Sequence, residues 1–193
     1  MYVLSNNIHF FSNTGFSIIY ICVLDVKTKS EGRYIEVQID DRTSCKIWTR
    51  IFNPDVNDKL PLVMIHGMGS GLALFAMNLD ELSKDRTVYA IDLPGYARSS
   101  RCKFSSKPEV IEGQFVKAID NWRQKLGLQK ICLLGHSFGG YLSSAYALKH
   151  PSYVSHLVLA DPWGFPEQPK EFRYVLKLIA TSVANFGRHI AKS

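Results

Sequence analysis

The chain has 193 residues, 46% hydrophobic and 21% charged, which excludes a disordered, collagenous or coiled-coil protein and suffices for one domain with a sizeable core. Twenty-three Lys and Arg against seventeen Asp and Glu leave a net charge of +6. The basic residues are scattered, which permits an anionic partner without requiring one and gives no nucleic-acid signature.

The four cysteines, Cys22, Cys45, Cys102 and Cys132, form no CxxC pair. The sequence therefore predicts a reducing compartment, no disulfide framework, no zinc site, and a buried free thiol at Cys132 inside an apolar run. The early apolar stretch Phe16 to Leu24 is well short of the ~20 residues of a membrane-spanning helix. No basic residue precedes it, as one would in a signal peptide. It reads as a strand or leader that charge and a turn former interrupt between Lys27 and Gly32.

From Arg33 to Asp40, Ile35, Val37 and Ile39 alternate with Tyr34, Glu36, Gln38 and Asp40, and Lys46 to Phe52 follows an Asp-Asp-Arg turn; together they predict a hairpin. Leu60 to Ile65 is a continuous apolar run, the mark of a strand covered on both faces, and it ends in His66-Gly67-Met68-Gly69. A helix is predicted over Leu72 to Lys84, a strand over Thr87 to Ile91 and a loop at Asp92-Leu93-Pro94-Gly95. Next comes a helix over Pro108 to Leu126, with Val110, Phe115, Ala118, Ile119 and Trp122 near helical spacing. Strand Lys130 to Leu134, helix Phe138 to Lys149 and strand His156 to Ala160 complete the run. This alternation requires βαβ crossovers, hence an α/β fold with a mainly parallel sheet and helices on both faces. Ligands of such sheets sit at the carboxyl ends of the strands, so the loops that matter start at His66, Asp92, Gly135 and Asp161.

Gly135-His136-Ser137-Phe138-Gly139 is a G-x-S-x-G pentapeptide between a buried strand and a helix, the setting of a nucleophile elbow. A sharp turn there exposes the Ser137 hydroxyl, and a side chain at Gly135 or Gly139 would strike the neighbouring strand or helix; Gly140 extends the clearance. An attacking serine also needs donors for the developing oxyanion. Two backbone N–H groups qualify: Phe138, at the positive end of its helix, and Met68, in a loop where Gly67 and Gly69 permit close approach and His66 reads otherwise as the satisfied histidine of a tight turn. The chemistry calls for no metal and no cofactor.

With these residues the chain resembles the α/β-hydrolase superfamily, over roughly Lys46 to Pro166, on His66-Gly67-Met68-Gly69, Asp92 to Ser99 and Gly135 to Gly139. Within it, Lys46-Ile47-Trp48-Thr49, Gln114-Phe115, Asp120-Asn121-Trp122-Arg123, Leu126-Gly127-Leu128 and Asp161-Pro162-Trp163-Gly164-Phe165-Pro166 look like one branch. That branch holds the N-acyl phosphatidylethanolamine lysophospholipase/phospholipase B and a lipid-droplet coactivator of a triglyceride lipase, which lacks the serine. The resemblance implies a lipid-directed serine ester hydrolase acting on an acyl ester, with Ser137 setting this chain beside the enzyme. It implies as alternatives a non-catalytic lipid- or protein-binding regulator, or lysophosphatidic acid acyltransfer through a His-x4-Asp motif near the C-terminus, a motif this sequence is read as lacking. It further implies a cytoplasmic protein, peripheral on membranes or lipid droplets or associated with mitochondria.

The family order places the acid and then the histidine on later strands, and 56 residues follow Ser137. The sequence assigns neither. His150 ends the helix that Ser137 opens, His156 lies early in its strand, His189 has no placement, His136 packs against the sheet, and Asp161 reads as a turn former before Pro162. Beyond Pro169, Phe172, Val175, Leu176, Ile179, Val183, Phe186 and Ile190 oppose Lys170, Arg173, Lys177 and Arg188, an amphipathic pattern where the family's cap begins. Arg98, Arg101, Lys103 and Lys107 could meet a phosphate. The expected organisation is a leader over 1–32, an incomplete hydrolase core over 33–167 lacking the C-terminal strands and most of the cap, and the start of a cap helix over 168–193. An open sheet edge and little or no turnover are expected of such a chain.

Overall fold

The computed structural model describes residues 26–164. The apolar stretch 16–24, Cys22, Phe165, Pro166, the amphipathic segment and His189 lie outside the described residues. Six strands form one sheet in the order β1-β2-β4-β3-β5-β6. β1 (Ser30–Gln38) and β2 (Ser44–Phe52) are the predicted hairpin, and β2 joins β4 (Val88–Ile91) antiparallel. β3 (Leu62–Ile65), β5 (Ile131–His136) and β6 (Val154–Ala160) run parallel with β4. A 3-10 turn (Leu72–Phe75) leads into α1 (Ala76–Leu82); α2 (Pro108–Lys125) and α3 (Phe138–Lys149) make the later crossovers.

β3 shows why the sheet is covered twice. Its four residues are all buried, and successive side chains of a strand point to opposite faces. Val63 and Ile65 join Phe115, Ile119 and Trp122 of α2 and Leu142 and Tyr146 of α3 in one core. Leu62 and Met64 join Leu72, Phe75 and Leu79 in the other. Each such side chain contributes about 1.5–3 kcal/mol on burial. The first core also holds a polar fastener: the Trp122 indole N–H donates to Thr49 Oγ1 at 2.8 Å. The branch-like residues Gln114, Asp120 and Arg123 are fasteners too. Gln114 donates to Asp40 at 2.7 Å, and Arg123 joins Asp120, Tyr146 and the Leu128 carbonyl.

Several boundaries differ from the sequence reading. β1 starts at Ser30, inside the stretch read as leader, and carries Gly32 beneath Trp48; a Cβ at Gly32 would stand 2.6 Å from that indole. β5 continues through Gly135 to His136, and the helix predicted from Leu72 opens as a 3-10 turn and ends at Leu82. Val110, in the first turn of α2, is 42% exposed, and full apolar burial begins at Phe115.

The expectation of a chain without disulfides is corrected: Cys45 and Cys102 are bonded, with Cα atoms 5.8 Å apart. Ser100 N–H donates to the Lys46 carbonyl at 3.0 Å and Lys46 N–H to Ser100 Oγ at 2.7 Å. The loop after β4 is thereby zipped to β2, which brings together cysteines 57 residues apart. Cys132 is the expected buried free thiol. β6 lies at the edge of the described sheet, with Leu157 and Val158 exposed. No helix among the described residues is long and apolar enough to cross a membrane.

Candidate active site

Ile65 pairs with Ile91 of β4 and with Gly135 of β5, and His136 pairs with Ala160 of β6. The four carboxyl ends are therefore level, and His66, Asp92, Ser137 and Asp161 leave the sheet as neighbours. This is the edge where parallel sheets place their ligands.

Ser137 joins β5 to α3 with φ 53° and ψ −117°, a backbone state that costs a non-glycine residue about 1–3 kcal/mol. Its own peptide groups hold it there. Ser137 N–H donates to the Ala160 carbonyl at 3.0 Å, and its carbonyl accepts from Gly140 N–H at 2.9 Å, Tyr141 N–H at 3.2 Å and Trp163 N–H at 2.9 Å. The glycines give the room the sequence reading asks of them. A Cβ at Gly135 would stand 2.3 Å from the Gly139 carbonyl oxygen; one at Gly139 would stand 2.2 Å from that of Ile65; one at Gly140 would stand 2.9 Å from Pro162 Cβ. The Ser137 side chain is half-buried at the positive end of α3.

The loop after β3 crosses directly over the elbow: a Cβ at Gly67 would stand 3.0 Å from Ser137 Cβ and 3.1 Å from His136 Nδ1. Met68, next along, is 60% exposed, and Gly69 turns the chain with φ +71°. Neither Met68 N–H nor Phe138 N–H has a hydrogen-bond acceptor among the described residues.

His66 is fully buried beneath this loop. Its Nε2 accepts from Leu93 N–H at 2.9 Å and its Nδ1 lies 2.7 Å from the Gly67 carbonyl oxygen, so the proton sits on Nδ1. Burial pushes its pKa down to about 4. A histidine with both nitrogens committed is a bridge between two loops and offers nothing to Ser137.

Asp92 is the residue the sequence reading leaves without a role. It is 2% exposed, and its two oxygens accept from Leu72 N–H at 2.7 Å and Arg98 N–H at 3.0 Å. Burial raises its pKa while those N–H groups oppose the shift. It ties the loop after β4 to the 3-10 turn, through a gap that only Gly71 leaves open: a Cβ there would stand 2.9 Å from Asp92 Oδ1. The one local signal was an aspartate at the carboxyl end of a strand.

No described histidine hydrogen-bonds to Ser137. His136 Nδ1 is buried without a partner under Gly67. His150 caps the far end of α3 and stacks on Tyr146 at 4.9 Å, about 20 Å from Ser137 at 1.5 Å per residue. His156 lies within β6 with Nδ1 3.9 Å from Cys132 Sγ. Asp161 is exposed, with φ 47°. His156 and Asp161 do have His-x4-Asp spacing, a match the sequence reading passes over. Five residues of extended chain separate them by about 16 Å and put them on opposite faces, so they form no pair.

Of the basic group, Arg98 covers the Trp48 ring at 3.7 Å and Arg101 donates to the Ala97 and Ser99 carbonyls. Lys103 and Lys107 are exposed. On the other side of the elbow Phe138, Tyr141 and Trp163 form an aromatic cluster with centroids 6.0–6.2 Å apart. Tyr141 OH donates to Glu112, and that bond raises its pKa.

The alpha/beta hydrolase fold family matches residues 61–192. The chain belongs to that family. It is 55% identical over 124 residues to the mouse protein named 1-acylglycerol-3-phosphate O-acyltransferase ABHD5, a match covering 64% of this chain and 35% of that one. It is 49% identical over 144 residues to human (lyso)-N-acylphosphatidylethanolamine lipase, covering 75% of this chain and 41% of the lipase. The matched stretch is thus well under half of these curated relatives. Among solved structures, a bacterial membrane phospholipase A superposes with TM-score 0.67 at 23% identity, over 83% of this chain and 49% of the phospholipase. Carboxylesterase CesB from Bacillus subtilis superposes with TM-score 0.62 at 24% identity, over 76% of this chain and 48% of the esterase. Both show the same fold.

Proposed function

We propose that this α/β-hydrolase chain is a lipid-directed serine ester hydrolase. Ser137 attacks the acyl carbonyl, the N–H groups of Met68 and Phe138 receive the oxyanion, and the alcohol leaves from an acyl-enzyme that water then cleaves. One observation carries the reading. Ser137 is held at φ 53° at a strand–helix junction, with the uncommitted Phe138 N–H next to it in the chain and the uncommitted Met68 N–H in the loop whose Gly67 crosses over it. The lipid class comes from the relatives, one named for a lipase and one for an acyltransferase acting on a glycerophosphate. The proposal includes peripheral attachment to lipid surfaces, to which exposed Lys103 and Lys107 would add charge attraction.

Fluorophosphonate labelling tests the assignment. Covalent modification at Ser137, lost in Ser137→Ala, is expected, and equal labelling of the variant overturns it. A second reading, a non-catalytic lipid-binding regulator or an acyltransferase, draws on the lack of a described histidine on Ser137. Ser137-dependent release of fatty acid from a lysophospholipid favours hydrolysis; Ser137-independent acylation of lysophosphatidic acid favours the second reading.

A further inference from the structure

Met68 is 60% exposed, so packing restrains the Gly67–Met68 peptide little on that side and hydrogen bonds carry much of its orientation. Two donors converge on one atom. His66 Nδ1 lies 2.7 Å from the Gly67 carbonyl oxygen, and Ser70 Oγ donates to the same oxygen at 3.1 Å. Gly69, at φ +71°, folds the chain back so that Ser70 reaches the carbonyl three residues before it, a local side-chain-to-backbone bond of the kind serine favours. The His66 ring cannot swing away. Its Nε2 is held by Leu93 N–H at 2.9 Å and its plane meets the Tyr96 ring edge-on at 5.6 Å.

We propose that Ser70 and His66 form a two-donor clamp on the Gly67 carbonyl that aims the Met68 N–H at the space beside Ser137. The proposal rests on the reading of Met68 as an oxyanion donor. Every described peptide is trans, so the carbonyl and N–H of one peptide point in opposite directions. With the Gly67 carbonyl drawn down onto buried His66 and onto Ser70, the Met68 N–H faces the other way. Gly67 itself passes close over the elbow, a Cβ there standing 3.0 Å from Ser137 Cβ. Two donors on one carbonyl also polarise the peptide and make its N–H a stronger donor. Ser70 and His66 are positioning residues: neither touches the reacting atoms.

The test uses Ser70, whose half-buried side chain can be shortened without opening the core. In the 15N–1H spectrum of the whole protein, Ser70→Ala is expected to move the Met68 amide resonance upfield, and Ser70→Thr, which keeps the hydroxyl, to restore it. In fluorophosphonate kinetics Ser70→Ala is expected to lower the maximal rate of Ser137 modification about tenfold with unchanged reagent affinity. That is short of the 10²–10³ lost with a whole oxyanion donor, and Ser70→Thr recovers the rate. A Met68 resonance that ignores Ser70→Ala overturns the clamp. So does a shifted resonance with an unchanged modification rate. Wild-type protein that is never labelled at Ser137 overturns the hydrolase reading instead, and the amide measurement still decides the clamp.

Discussion

Gly139→Ala against Gly113→Ala, two substitutions identical on paper, offers the sharpest test of the elbow. A Cβ at Gly139 would stand 2.2 Å from the Ile65 carbonyl oxygen and 2.5 Å from that of His66, whereas one at Gly113 in α2 meets nothing within 4 Å. A comfortable carbon–oxygen separation is about 3.3 Å, so α3 must withdraw from β3 by about 1 Å. The obstructing atoms are backbone, at a level sheet edge, with no rotamer to turn. The cost belongs at the upper end of overpacking, about 3 kcal/mol, while Gly113→Ala gains about 0.5–1 kcal/mol from helix propensity. With a urea m-value of about 2 kcal/mol/M, the midpoint of Gly139→Ala falls by about 1.5 M and that of Gly113→Ala rises by a few tenths. His66 also begins the loop that bears Met68, so on the proposed reading the same displacement separates Ser137 from its oxyanion donor. A misplacement of about 1 Å lowers Ser137 reactivity by about 10²-fold. Equal midpoints for the two variants, or normal Ser137 labelling in Gly139→Ala, would refute the reasoning.

Trp122→Phe strands the buried Thr49 hydroxyl and is expected to cost about 1–3 kcal/mol; adding Thr49→Val should recover part of it in urea titrations. Asp120→Ala leaves the Arg123 guanidinium, 4% exposed, without its carboxylate, at a cost of about 3 kcal/mol. A double-mutant cycle with Arg123→Leu should show strong coupling, and additive costs would contradict the network. His66 is held neutral when folded, its pKa lowered from 6.5 to about 4 by burial. The unfolded chain binds a proton there first, so this stability is full above pH 6.5 and drains away as pH falls toward 4. The loss amounts to about 3 kcal/mol at 1.36 kcal/mol per unit. Unfolding free energies of wild type and His66→Asn should converge by that amount between pH 7 and pH 4; parallel curves would sink the claim.

The alternation of apolar runs was enough to place the hairpin, the parallel strands and α3, because burial on one or both faces writes a period into the sequence. Ser137, Gly135 and Gly139 were legible for a different reason: steric clearance leaves glycine as the only solution. Longer-range features left no local trace. The His66–Leu93 bond spans 27 residues, Asp92 reaches back 20 to Leu72, and the Cys45–Cys102 bridge depends on a loop folded against β2. Gly32 read as a turn former because Trp48, which fills its side of the strand, lies on another strand. Ser70 carries no signal of its own in the sequence; its meaning appears only with the direction of the Gly67 carbonyl.

The hydrogen bonds that brace Ser137 come from both sides of it in time as well as in space. Gly140 and Tyr141 are made within a fraction of a second of the nucleophile during synthesis, but the Ala160 carbonyl, the Trp163 N–H and the Pro162 ring against Gly140 belong to a segment translated some two dozen residues later. Until β6 has zipped onto β5, the left-handed backbone at Ser137 is braced by Gly140 and Tyr141 alone among these bonds. The turn at Ser137 is therefore complete only once β6 has paired with β5.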